Sequence, residues 1–188
     1  LLNRRVVRDV DKINEGLAEI TNGNLNVVVD VRSNSEFASL SDDINMTVET
    51  LKRYISEAAA RIDKELEFAQ TIQKSALPNT FPAFPNHPEI DIFASMNAAK
   101  EVGGDFYDYY LLKGNRLAFL IADVSGKGIP AAMFMMTSKT LIKSLANADD
   151  NLAKVITMAN DKLCENNEAN MFITAFMGVL DLNTGAME

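Results

Sequence analysis

Apolar residues recur in steps of three and four through the first part of the chain. Val10, Ile13, Leu17 and Ile20 step by 3, 4 and 3, an a/d seam of coiled-coil type. Gly23 supplies the stop for this first helix. Leu25, Val27, Val29 and Val31 then alternate with other residues in a short extended stretch. Ser33 and Glu36 form an S-x-x-E capping box that predicts the start of a second helix. Its stripe runs through Phe37, Leu40, Ile44, Val48, Leu51, Ile55, Ala58, Ile62, Leu66 and Ala69. Successive steps of four around Ile44 and Ile62 are stutters, which locally unwind a coiled coil. No Gly or Pro interrupts the segment from Glu36 to Ala76, so the helix is roughly 60 Å long at 1.5 Å per residue. Such a stripe cannot be buried within a small domain. It needs a partner helix, most simply from a second copy of the chain. On periodicity alone, a plain dimerisation coil explains it as well as a signalling coil does.

Pro78 ends the helix, and the segment from Pro78 to Pro88 holds all but one of the five prolines, a linker or wrapping loop. His87 within it reads as a surface residue without a role. From Glu89 the pattern turns to strands. Ile90-Asp91-Ile92-Phe93-Ala94 is one, and Phe106 to Leu112 and Arg116 to Ala122 are two more, joined by the turn Lys113-Gly114-Asn115. A helix from about Ile129 to Ala146 opens with Pro130 after Gly128, and its Met133, Met135 and Met136 are expected in a core. Asp149-Asp150-Asn151 caps a further helix bearing Leu152, Val155, Ile156, Ala159 and Leu163, with Cys164 expected as an inert buried thiol. A last strand covers about Phe172 to Leu182. The turn Asn183-Thr184-Gly185 announces another strand three residues before the end, so the chain is expected to stop inside its domain.

Composition narrows the class. The 188 residues suit one ordinary domain or two small ones, and 47% hydrophobic residues argue against disorder. A net charge of −8 with no basic stripe speaks against a nucleic-acid partner and against a polybasic membrane-surface segment. The single cysteine fits a reducing compartment such as the cytoplasm. There is no apolar run of about 20 residues and no signal peptide, so this stretch is not expected to span a membrane. The opening Leu1-Leu2-Asn3-Arg4-Arg5 reads either as the inner end of a membrane helix with its positive flank or as an arbitrary boundary.

The chemistry centres on two aspartates. Opposed residues of an antiparallel hairpin have a constant sum of numbers, and a three-residue loop at 113–115 makes that sum 228. Asp105 and Asp123 then face each other at the open end of the ladder, with Cβ atoms about 4.5–5.5 Å apart. Two ionised carboxylates so placed repel, unless one is protonated or a cation lies between them. Oxygen donors at this spacing suit Mg²⁺ or Mn²⁺. Gly103-Gly104 allows close backbone approach to a bound group, and the turn Asp123-Val124-Ser125-Gly126-Lys127-Gly128 can offer a main-chain carbonyl to a metal. A two-residue turn would shift the pairing by one. Spacing alone reads equally well as two solvated strand-end aspartates beside turn glycines.

Glu67 to Pro78 (EFAQTIQKSALP), Val102 to Asp108 (VGGDFYD), Ile121 to Ala132 (IADVSGKGIPAA) and Met171 to Phe176 (MFITAF) together resemble bacterial type 2C (PPM) protein phosphatases of the SpoIIE kind. Gly23-x-Leu25, Glu36 and Asn45-Met46 before Leu51 resemble a HAMP domain, without the proline usual in its first helix and with Ser35 where an acid is common. These resemblances imply an α+β chain. A HAMP-like domain would occupy residues 1–55, a coiled-coil signalling helix 56–78, and the first part of an α-β-β-α phosphatase sandwich 79–188. They imply two Mn²⁺ or Mg²⁺ ions activating a water for direct attack on a phosphoserine or phosphothreonine. By motif position Asp105 would bind one metal, Asp123 would bridge both, and the Val124 main-chain carbonyl would complete a site. The family needs further aspartates beyond Glu188, so this stretch alone is expected to bind metal weakly and to lack activity. The implied protein is a homodimeric receptor phosphatase on the cytoplasmic side of the cell membrane. It would be anchored by an upstream segment and act on a phosphoprotein such as an anti-sigma-factor antagonist.

Two rivals remain at this level. The phosphatase-like part could be a non-catalytic signalling module. Gly103-Gly104-Asp105-Phe106 also resembles the GGDEF signature of diguanylate cyclases, but it lacks the glutamate, and that reading leaves residues 122–128 unexplained.

Overall fold

Seven elements carry the chain in the computed structural model, which describes residues 2–98 and 101–188. Leu1 of the apolar start lies outside the described residues. Two compact units form, Leu1–Lys64 and Glu65–Glu188.

In the first unit, α1 (Leu2–Thr21) ends in a paired turn. Gly23, at φ +93°, donates its N–H to the Ile20 carbonyl at 3.0 Å, and Asn24 donates to the Glu19 carbonyl at 3.0 Å. This Schellman arrangement satisfies two otherwise orphaned carbonyls. The alternating stretch that follows forms no ladder, yet its alternation is real: Val29 and Val31 are buried with Ile13, while Val28 faces solvent. Side chains of α2 take the place of a partner strand. Asn45 accepts from the Val29 N–H at 3.0 Å and donates to the Val29 carbonyl at 2.8 Å. Ser41, one helical turn away, accepts from the Val31 N–H at 3.1 Å and donates to the Val31 carbonyl at 3.3 Å.

The long helix α2 spans Ser35–Ala76 without a break. Its cap differs from the expected box. Asn34, not Ser33, caps it: the Asn34 carboxamide accepts from the Phe37 N–H at 2.8 Å, while the Glu36 carboxylate takes the Ser35 hydroxyl. Asn and Ser are equally good caps, and the helix begins one residue later than the box requires. Most of the seam is unpartnered within one chain. Val48 and Ile13 are buried, but Val10, Leu17, Leu40, Leu51, Ile55 and Ile62 are exposed.

The second unit is built on an antiparallel sheet, β1 (Phe106–Leu112), β2 (Arg116–Val124) and β3 (Ile173–Asp181), in that order. Helices α3 (Ile129–Ala148) and α4 (Leu152–Cys164) cover one face, and the core joins Phe106, Leu120 and Val124 to Met135, Ile142 and Ala159. Asn151 caps α4 by accepting from the Lys154 N–H. On the opposite face Ile121 and Phe176 are 66% and 61% exposed. They border a groove of about 1120 Å³ between the sheet and the 89–96 segment. Helices followed by a small antiparallel sheet, with helices packed on one of its faces, bear out the expected α+β class.

Three expectations need correction. Residues 90–94 form no strand: from Ile90 to Ala98 half-buried and exposed positions alternate, but the described residues give this segment no ladder. Alternation sets which side a residue faces, whereas a strand also needs a neighbour. Met133 is 67% exposed and only Met135 is fully buried, because the two are two residues apart on a helix and point away from each other. Cys164 is exposed, lying off the buried stripe of Val155 and Ala159.

The connector clamp can be tested directly. Asn45→Ala leaves the part-buried N–H and C=O of Val29 without partners, and should destabilise the first unit by about 1–3 kcal/mol in chemical denaturation. A change near zero would mean that burial of Val29 and Val31 holds the connector unaided.

Candidate metal centre

The hairpin builds the site. Phe106 pairs with Ala122 and Leu112 with Arg116, so every pair sums to 228. The loop is the three residues 113–115, with Gly114 at φ +76° and Asn115 at +61°. One step beyond Phe106 and Ala122, Asp105 stands across from Asp123. Burial, a hydrogen bond shared with Asp123 and repulsion from its charge, in that order, raise the Asp105 carboxyl above the usual carboxylate range. Two acids sharing a hydrogen bond leave one proton or one cation to be supplied.

The Val124 carbonyl oxygen lies against Gly104, the residue before Asp105. A Cβ at Gly104 would lie 2.8 Å from the Val124 carbonyl oxygen, 2.9 Å from Val124 Cβ and 3.3 Å from Ala131 Cβ. Only glycine fits there, so the backbone before Asp105 is pressed against Val124 and the first turn of α3. Beyond Val124 the strand pairing is closed by Ser125, which donates its N–H to the Phe172 carbonyl at 2.8 Å and accepts the Phe172 N–H on its hydroxyl at 2.9 Å. Gly126 and Gly128, at φ +90° and +73°, then turn the chain into α3.

Two side chains that the sequence pattern did not single out tie this loop to the end of α2. Gln73 is buried, donates to the Gly103 carbonyl at 2.6 Å and accepts from the Gly103 N–H at 3.2 Å. Tyr107 donates its hydroxyl to the Pro78 carbonyl at 2.7 Å. Asp105 lies midway between these two anchors, and Leu77 packs in the same core as its neighbour Phe106. A signal for Gln73 existed: it is the polar member of a stripe, Leu66, Ala69, Gln73 and Leu77, that is otherwise apolar.

The structure thus brings Asp105 and Asp123 side by side and leaves Val124 in contact with Gly104. The two carboxylates, and the Val124 carbonyl oxygen beside Gly104, are hard oxygens of the kind that could hold Mg²⁺ or Mn²⁺ rather than a thiolate- or imidazole-bound ion. Among the described residues no group of three or more His, Cys, Asp or Glu converges, so the set is partial.

Residues 113–188 match the family model of SpoIIE, stage II sporulation protein E, and residues 1–53 match that of the HAMP domain. The chain is 33% identical over 148 residues to protein IcfG of Synechocystis sp., an alignment covering 64% of this chain and 23% of that protein. It is 34% identical over 115 residues to the phosphoserine phosphatase RsbU of Bacillus subtilis, covering 61% of this chain and 33% of the other. The chain therefore spans a third or less of these relatives. The SiaA-PP2C domain of Pseudomonas aeruginosa superposes with a TM-score of 0.55 at 22% identity, over 68% of this chain and 51% of that one, a likeness of fold.

The paired acids should cost stability when no metal is bound. A carboxyl whose folded pKa is raised contributes stability below its unfolded value, and loses it as pH rises through the folded value. Asp123→Asn removes the repulsion and should raise the metal-free Tm at neutral pH. The gain should fade as pH falls through the ordinary aspartate value of about 3.9, well below which Asp105 is protonated whether folded or unfolded. Calorimetry across this range checks it; an unchanged or lower Tm at neutral pH would show that the two acids do not oppose each other.

Proposed function

We propose a HAMP-regulated protein phosphatase, because the chain belongs to the SpoIIE, PP2C-like family in its C-terminal part and carries a HAMP domain at its N-terminus. The reaction is hydrolysis of phosphoserine or phosphothreonine on a regulator protein, for which an anti-sigma-factor antagonist is the candidate that family resemblance suggests. The observation that carries this reading is Asp105 across from Asp123, with the Val124 carbonyl oxygen against Gly104, the residue before Asp105. Asp105 would hold one divalent ion, Asp123 would bridge two, and the Val124 carbonyl would complete a site. Bound Mn²⁺ or Mg²⁺ supplies an activated water and neutralises charge on the phosphoryl group. The protein's share is to hold these oxygens rigidly: the hairpin sets the separation of the acids and the Gly104 contact seats the carbonyl.

Control would run through α2. The helix is continuous from the HAMP region to Ala76, and Gln73 and Pro78 are bonded to either side of Asp105. A rotation or shift of its last turns is therefore expected to move the Asp105 backbone. The exposed seam of Val10, Leu17, Leu40, Leu51, Ile55 and Ile62 supports a homodimer through the HAMP domain and long helix. We assign residues 1–55 to the HAMP-like domain, 56–78 to the signalling helix and 79–188 to the phosphatase part. Among the described residues no helix is long and apolar enough to cross a membrane. Attachment to the cytoplasmic face of the membrane would use a segment upstream of Leu1.

Manganese-dependent dephosphorylation of a phosphoserine protein by the complete cytoplasmic region tests this reading. Asp123→Asn should lower the rate by about 100-fold or more, and Gln73→Ala by about 10-fold, the range for ligand and supporting positions. Equal rates in wild type and Asp123→Asn would sink the metal assignment. Light scattering should find a dimer; a monomer at high concentration would remove the proposed coil.

A further inference from the structure

A buried ion pair links β1 to α3 and has no part in the chemistry above. Asp108 is 1% exposed. Its Oδ1 accepts the Tyr109 N–H at 3.0 Å, and Lys139 Nζ lies 2.8 Å from Oδ2. That contact is close but off the hydrogen-bonding direction, leaving Oδ2 without an aligned donor. Lys139 is itself 9% exposed. Lys143, one turn further along α3, stands 3.8 Å from the same oxygen and over the Tyr110 ring. Burial and the Asp108 charge push the Tyr110 phenol up.

A pair of this kind stabilises poorly. Desolvating both charges costs about as much as their attraction returns, and apolar replacements are often as stable. What it does well is choose a register. Of the other buried residues of α3, Ala131, Met135, Ile142 and Ala146 are apolar, and Ser138 gives its hydroxyl to the Phe134 carbonyl within the helix at 2.8 Å, so none of them fixes where α3 lies along the sheet. In the register observed both lysines reach Asp108 Oδ2, Lys139 at 2.8 Å and Lys143 at 3.8 Å, and a slide of α3 in either direction draws one of them away. That register places Ala131, fully buried, against Gly104, the residue before Asp105.

We propose that Asp108 and Lys139 are positioning residues that set the register of α3 on the sheet, and so hold Ala131 against the Gly104 backbone that carries Asp105. The consequence for metal rests on the reading of the site given above; the register does not.

The test uses the full chain and compares wild type with the apolar double variant Asp108→Leu/Lys139→Met. Without metal, the double variant should keep its Tm. Yet the amides of Gly104 and Ala132 should exchange about 10-fold faster relative to those at the centre of β2, as for loss of one buried interaction. Mn²⁺ affinity, read by titration calorimetry, should fall by about 10-fold, as for a supporting position. Unchanged exchange at Gly104 and Ala132 in a folded double variant would overturn the proposal. If the double variant does not fold, the near-isosteric Asp108→Asn decides: faster exchange at those two amides supports the proposal and unchanged exchange overturns it. Exchange is read without metal, so a wild type that binds no Mn²⁺ would remove the reading of the site and leave the register to be decided by exchange.

Discussion

Lys113, Gly114 and Asn115 close the β1–β2 hairpin, and the three-residue loop forces each pair of opposed residues to sum to 228. Everything near the candidate centre depends on that sum. A slip of one residue would turn either Phe106 of β1 or Leu120, Ala122 and Val124 of β2 away from α3, and would take Asp105 out of line with Asp123. The core therefore enforces the same register that the acids need. Burial of the inner face makes slippage costly, and the opposition of two carboxylates, unfavourable by itself, is carried by that stability.

The loop before β1 is held from several directions. Gln73 satisfies both backbone groups of Gly103, Val124 and Ala131 crowd Gly104, and Tyr107 reaches the Pro78 carbonyl. These contacts come from α2, β2 and α3. A segment so constrained has little freedom of its own, so its position follows the elements around it.

The first unit follows a different logic. Its extended connector has no sheet to join, and Asn45 and Ser41 supply from a helix the donors and acceptors a strand would have offered. The connector thus satisfies its backbone locally, while Ile13, Val29 and Val31 form a small core. What remains apolar along α1 and α2 faces outward, where a second copy can meet it.

Much of this was legible from spacing. Helix lengths, the hairpin and the pairing of Asp105 with Asp123 follow from stereochemistry that acts over a few residues: helix and strand periods, turn preferences and the constant sum of an antiparallel pair. The family resemblance rested on the same local motifs. Asn34 as the cap, the missing ladder at 90–94, the exposure of Cys164, the Gln73 bonds and the Asp108–Lys139 pair were not legible. Asn34 won over Ser33 as an equally good cap one residue along, while the Gln73 and Asp108–Lys139 contacts depend on which neighbour, about thirty residues away, packing brings within reach. Local pattern determined what each segment would become and which face it would bury; tertiary structure decided which polar groups met on those faces, because partner choice is set by the shape of the packed core and not by the spacing of residues along the chain.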